Sequence, residues 1–265
     1  MATANAFKSC STYVTALNPL CSKPSNSTWT SDVQVLLWFY MRKIPFENGE
    51  FYHVYNRGVD KRIVFSDEDD LNRFMQSMEE FNVIDPIGSI YQNSFIKNKS
   101  DSTDQLGHPM SKLKLVNFIC YCLNPNHYHF ILEQVSDKGI EKFMQRLGNG
   151  YTKYFNNKNK RSGVLFQGKF KAVHIDSNEY LLHASAYVNL NDRVHQLGGK
   201  DSKLVKSRSS WGEYTRKSKG DFCNKDIILE QYKSVREYQK FAESSVEDMI
   251  KKKVEMKKME GYLLE

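Results

Sequence analysis

The sequence predicts an α+β fold, an antiparallel sheet with helices packed on one face. Three observations carry this. Strand-like stretches are separated by helical ones along the chain. The turn signal Leu123-Asn124-Pro125-Asn126 joins two strands directly, as a hairpin does and a parallel crossover does not. The run Asn126-His127-Tyr128-His129-Phe130-Ile131-Leu132 then alternates side chains between two faces.

In chain order, residues 1–40 are rich in Ser, Thr and Asn, carry few charges and show no periodicity. They read either as a poorly ordered extension or as translated upstream sequence ahead of a start at Met41. Residues 51–59 form a first strand. Ser66 is expected to cap a helix whose first turn, Asp67, Glu68, Asp69 and Asp70, suits the positive end of the helix dipole. Leu71, Phe74, Met75, Met78 and Phe81 supply its buried stripe. Residues 97–112 are polar and read as a loop insertion. Residues 113–123 form a strand leading into the turn and the histidine strand. A second helix covers 139–156, with Ile140, Phe143, Met144, Leu147, Tyr151, Tyr154 and Phe155 at helical spacing. Gly148 and Gly150 weaken it by about 1 kcal/mol each relative to Ala. Residues 165–173 read as a strand with Lys169 and Lys171 on one face, 177–190 as a third helix, and 198–210 as a basic loop. The remainder is helical and charged, ending in Lys251-Lys252-Lys253 and Lys257-Lys258.

The chain has 265 residues, net charge +7 and a sequence pI of about 9.0. That balance favours an anionic partner, most simply nucleic acid, although a solvated lysine surface reads equally well from charge alone. The 15 Tyr and 16 Phe suit stacking on unpaired bases as well as an ordinary core. Five cysteines, an odd number without framework spacing, fit a reducing cytoplasm. No stretch is long enough to span a bilayer, and the N-terminus lacks the pattern of a signal peptide.

His127 and His129 fall on one strand face, one pleat apart, a spacing at which both can hold a single metal ion. Such a pair by itself is more often structural. The third helix adds weight, because Tyr187 and Asn191 are four residues apart on one helix face. A phenol beside a carboxamide can set a nucleophile next to a metal ligand. The phenol needs help, since its ordinary pKa is about 10. Periodicity alone reads Tyr187 as a core aromatic, and His183, one turn earlier, as a packing residue.

Four stretches together resemble the single-tyrosine HUH transposases, the IS200-like group and within it the REP-associated tyrosine transposases. They are Phe51-Tyr52-His53-Val54-Tyr55-Asn56-Arg57-Gly58, the histidine strand with its turn, Gly163 through Lys171, and Tyr180 through Asn191. The resemblance implies a ferredoxin-like sheet in an HUH nuclease domain over 41–215, followed by a basic helical extension over 216–265. It implies that His127, His129 and Asn191 bind Mg²⁺ or Mn²⁺ and that Tyr187 is the nucleophile. It leaves open whether the protein works as a homodimer or a monomer. Three departures stand out. Asp192 replaces a usual proline, Asn124 replaces a usual methionine, and Arg208 through Tyr214 only loosely matches a Trp-Ser-Ser-Tyr motif.

Other groupings compete. With a turn over Leu123–Asn126, Cys122 would face His127 and Cys120 would face His129, which could make a Cys₂His₂ zinc site. Arg57, Lys61, Arg62, Lys169 and Lys171 are candidates for DNA phosphate contacts, with a solvated face as the equal alternative. The expected function is a metal-dependent single-stranded DNA endonuclease and strand transferase, acting on single-stranded or hairpin DNA through a 5′-phosphotyrosine link. The alternatives are a hairpin-DNA binder or repressor without turnover and, more remotely, an RNA binder.

Overall fold

The structure, a computed structural model, describes residues 45–90, 113–194, 205–215 and 221–262, with side chains to residue 254. The expected extension at 1–40 and the insertion at 97–112 lie outside the described residues, as does 198–204 of the basic loop.

Five strands form one antiparallel sheet: β1 (Phe51–Arg57), β2 (Val116–Asn124), β3 (His127–Gln134), β4 (Lys171–Ile175) and β5 (Arg208–Ser209), in the order β4-β1-β3-β2-β5. β2 and β3 pair as far as Asn124 opposite His127, so the turn between them is only Pro125 and Asn126. This shortens the expected turn by two residues and shifts the register. Cys122, not Cys120, stands opposite His129, and Cys120 stands opposite Ile131. A bulge between Phe118 and Cys120 also interrupts the alternation.

Helices cover both faces, which corrects the expectation of one covered face. On one face, Tyr52, Val54, Phe118, Tyr128, Phe130 and Leu132 pack with α1 (Glu68–Glu80) and α2 (Gly139–Lys158). On the other, Phe51, Ile119, Cys120, Cys122 and Ile131 pack with α3 (Asn178–Asn189) and the long C-terminal helix (Val235–Tyr262). The reason lies in β2, where every residue from Phe118 to Asn124 is buried. Such a run has no solvent side and needs cover above and below.

Asp67, not Ser66, caps α1. Its carboxylate accepts from the Asp70 amide at 3.0 Å, while the Ser66 amide donates to Asp70 Oδ2 at 2.8 Å. The two bonds satisfy exposed donors reciprocally, as in a capping box. The strand expected over 165–173 is also shorter. Leu165 and Phe166 plug the core, Phe166 makes a single bridge to Gly58, and Gly168 turns the chain at φ +67°. Lys169 therefore precedes β4, and strand alternation does not put it on one face with Lys171.

After α3 the chain breaks at Leu190 (φ −115°) and resumes as the short α4 (Asn191–Val194). Two further short helices, α5 (Trp211–Tyr214) and α6 (Asp226–Leu229), precede the C-terminal helix, α7. On α7, Tyr238, Ala242 and Val246 recur every fourth residue and are buried in the core that α3 shares. The Tyr238 hydroxyl accepts from Asn189 Nδ2 at 3.0 Å and shares a hydrogen bond with Ser185 Oγ at 3.1 Å. Among the described residues no helix is long and apolar enough to cross a membrane.

Candidate metal and nucleophile site

Strand β3 delivers His127 and His129 to the face covered by α3, while Tyr128 and Phe130 enter the opposite core. The two imidazoles meet edge to face with centroids 5.2 Å apart. From α3, the Tyr187 ring stands edge-on to His129 at 5.6 Å. Asn191 closes the group, with its Oδ1 3.2 Å from His127 Nε2. The structure thus brings His127, His129, Tyr187 and Asn191 together. It does so through two helical pieces rather than the single helix face expected, because the break at Leu190 separates Tyr187 from Asn191. His183 packs against Phe241 and bonds Ser245, the packing role anticipated for it.

Hydrogen bonds assign the nitrogens. His127 Nδ1 lies 2.6 Å from Asn126 Oδ1, which can only accept, so Nδ1 carries the proton. Nε2 is then an acceptor, and it receives Asn124 Nδ2 at 2.9 Å. It faces Asn191 Oδ1, a second acceptor. Two converging lone pairs of this kind suit a cation between them. Asn191 is wholly buried, and among the described residues its Nδ2 makes no hydrogen bond of normal geometry. An imidazole nitrogen and an amide oxygen are donors compatible with Mn²⁺, whereas Mg²⁺ prefers more oxygen. The residues present fit such an ion. Among the described residues no cluster of three or more His, Cys, Asp or Glu side chains forms a metal site. The zinc alternative fails on register, since Asn124 and not Cys122 stands opposite His127, and Cys120 stands opposite Ile131 and not His129.

Burial lowers the His127 pKa, opposed by the Asn191 hydrogen bond and reinforced by the charges of Arg57 and Lys253. Lys253 is half-buried, so the basic run of α7 is not all solvated surface. Burial raises the Tyr187 pKa, and Asn191 opposes that rise by favouring the phenolate.

Sequence reasoning missed His53. It lies on β1 opposite Ile131, diagonal to His129, and its Nε2 is 2.9 Å from His129 Nδ1. The alternation of β1 held the signal: His53, Tyr55 and Arg57 share a face, and Tyr55 and Arg57 stand opposite His129 and His127. The candidate DNA contacts gather around the same end of the sheet. Arg57 stands opposite His127 and donates to Gln167 Oε1 at 2.9 Å. Lys61 and Arg62 are exposed beside the turn, where Asn126 donates to the Lys61 carbonyl. Lys169 is exposed in the loop before β4, and Lys171 stands opposite Tyr55. The loosely matching Arg208–Tyr214 stretch anchors the fold. Ser210 Oγ accepts from the Tyr121 amide and donates to Asn189 Oδ1 at 2.6 Å, and Arg208 reaches Glu68 at 2.6 Å.

Comparison with known proteins adds three findings. Residues 89–215 match the family model described as transposase, IS200 like. A solved REP-associated tyrosine transposase bound to a REP hairpin is similar at 11% identity and TM-score 0.38, over 69% of this chain and 93% of that one. The tRNA(His) guanylyltransferase of Saccharomyces cerevisiae is similar at 10% identity and TM-score 0.30, over 80% of each chain. Both structural likenesses are too distant to say anything of substrate. No curated protein matches the chain. The matched stretch contains β2, β3, α3 and every residue of the His127–His129–Tyr187–Asn191 group, and over it the chain is similar to the IS200-like transposases.

Proposed function

We propose that the protein is a metal-dependent single-stranded DNA endonuclease and strand transferase whose nucleophile is Tyr187. The observation that carries this is the placement of the Tyr187 ring edge-on against His129, with Asn191 between it and His127. His127, His129 and Asn191 would hold Mg²⁺ or Mn²⁺. When bound, that ion polarises the scissile phosphate and neutralises the charge that develops on it.

The protein's own groups do the rest. Tyr187 gives up its phenolic proton as its oxygen bonds to phosphorus and the bond to the 3′ oxygen breaks, leaving a 3′-hydroxyl and a 5′-phosphotyrosine ester. Asn191 favours the phenolate, against the burial that disfavours it. Attack by a 3′-hydroxyl reverses the step and rejoins strands. Arg57, Lys61, Arg62, Lys169 and Lys171 would bind the phosphates of a single-stranded or hairpin DNA.

The test is a covalent protein–DNA adduct formed with a single-stranded or hairpin oligonucleotide and Mn²⁺. Wild type should form it and Tyr187→Phe should not. Equal adduct in Tyr187→Phe rejects the nucleophile. Hairpin binding with no adduct under any divalent ion points instead to a binder or repressor that keeps the fold.

A further inference from the structure

The carboxamide of Asn124 makes the least expected contact in the site. This side chain is wholly buried at the end of β2. Its Nδ2 bridges the two acceptors described above, lying 2.9 Å from His127 Nε2 and 2.8 Å from Asn191 Oδ1. Those two atoms are themselves 3.2 Å apart. The three atoms therefore form a nearly regular triangle. Octahedral donors about 2.1 Å from a cation lie about 3.0 Å from their neighbours, which is the size of this triangle. An N–H₂ group completes the triangle here and supplies the positive partial charge that both acceptors need.

The other end of the amide is held weakly. Among the described residues, Asn124 Oδ1 accepts only from the Cys122 thiol, at 3.5 Å. A thiol is a weak donor and its sulfur a weak acceptor, so it serves either end of the carboxamide at small cost. The terminal torsion of Asn is broad and two-fold, and a half-turn exchanges oxygen and nitrogen at nearly unchanged shape. After that half-turn Asn124 would present Oδ1 to the same triangle, and all three corners would be ligand atoms.

We infer that Asn124 is a switching ligand of the cation site. Its amide nitrogen satisfies His127 and Asn191 when no ion is bound, and its oxygen ligates when a hard divalent cation, Mg²⁺ or Mn²⁺, enters. The inference rests on the metal-dependent reading above. It also assigns a role to one departure from the family pattern, since methionine has no hard oxygen to offer and no N–H to bridge the acceptors.

Calorimetric titration of the full chain with Mn²⁺ alone tests it, with thermal melts in parallel. Asn124→Leu, which keeps the volume and removes the amide, should weaken Mn²⁺ binding about tenfold or more. Asn124→Asp keeps the oxygen and loses the N–H. It should bind Mn²⁺ at least as tightly as wild type, melt lower without metal, and recover on adding Mn²⁺. Wild-type affinity in Asn124→Leu overturns the inference, as does a tenfold loss in Asn124→Asp; the latter decides the matter if Asn124→Leu does not fold. His127→Ala separates the two levels. If it loses Mn²⁺ binding while Asn124→Leu keeps it, only the role of Asn124 falls. If His127→Ala binds like wild type, the metal site itself is wrong.

Discussion

His53 Nε2 lies 2.9 Å from His129 Nδ1, and the two rings stack with centroids 5.1 Å apart. Burial lowers the His53 pKa to about 4, so this imidazole is neutral at physiological pH. Where His53 Nε2 is the acceptor and His129 Nδ1–H the donor of this contact, His129 Nε2 carries the lone pair. In that arrangement His53 would act as a positioning residue that fixes the tautomer and tilt of its neighbour.

Removing that support should weaken the cation site without touching it. His53→Ala is expected to reduce Mn²⁺ affinity about 10- to 100-fold. His53→Gln, which can still offer an acceptor, should recover part of the loss. Mn²⁺ titration of the three proteins checks this, and equal affinities would detach His53 from the site.

The two glycines of α2 should respond in opposite directions. A methyl group at Gly148 meets nothing within 4 Å, so Gly148→Ala should stabilise by about 0.5–1 kcal/mol. At Gly150 the same methyl would lie 2.6 Å from the Phe81 ring, and Gly150→Ala should cost about 1–3 kcal/mol. Denaturant melts of the two variants decide it.

Lys158 bonds both Asp67 and Asp70 at 2.7 Å, and the Asp70 side chain is wholly buried. Lys158→Met should cost about 1–3 kcal/mol at neutral pH, because Asp70 loses its cation. The Lys158 ammonium holds the Asp67 carboxyl below its ordinary pKa. A depressed carboxylate adds stability above its unfolded pKa and loses it as pH falls through the folded one. The gap between variant and wild type should therefore narrow below about pH 4. A gap that widens in acid would contradict the pairing.

Phosphate contacts leave a signature in salt. If Lys169 and Arg62 each neutralise one phosphate, Lys169→Ala and Arg62→Ala should each reduce the log–log salt slope of single-strand binding by about 0.7. Affinity should fall alike for all sequences, because such contacts position without reading bases. An unchanged slope would return these side chains to the solvated surface.

Much of this was legible in the residues. The alternation around His127 and His129 gave their shared face, and the periodicity of α1 and α2 gave their buried stripes. The two-residue turn was harder to read, because Leu123-Asn124-Pro125-Asn126 carries turn chemistry at four positions while the strands pair past two of them. That difference moved the cysteines out of ligand register and brought Asn124 opposite His127. The contact between His53 and His129 spans 76 residues and depends on the pairing of β1 with β3, which no local pattern states. The cover on the second face was written in the unbroken burial of β2, which has no polar alternation to lose.

The clasp between α3 and α7 has a mechanical consequence. Ser185 and Asn189 meet the Tyr238 hydroxyl, and His183 meets Ser245, so the helix bearing Tyr187 is bolted to a neighbour of 28 residues. On the proposed chemistry, a severed strand tethered to that phenol has a short leash. It stays beside the gap it came from, and resealing in place or joining an end brought to the same spot becomes easier than carrying the cargo away.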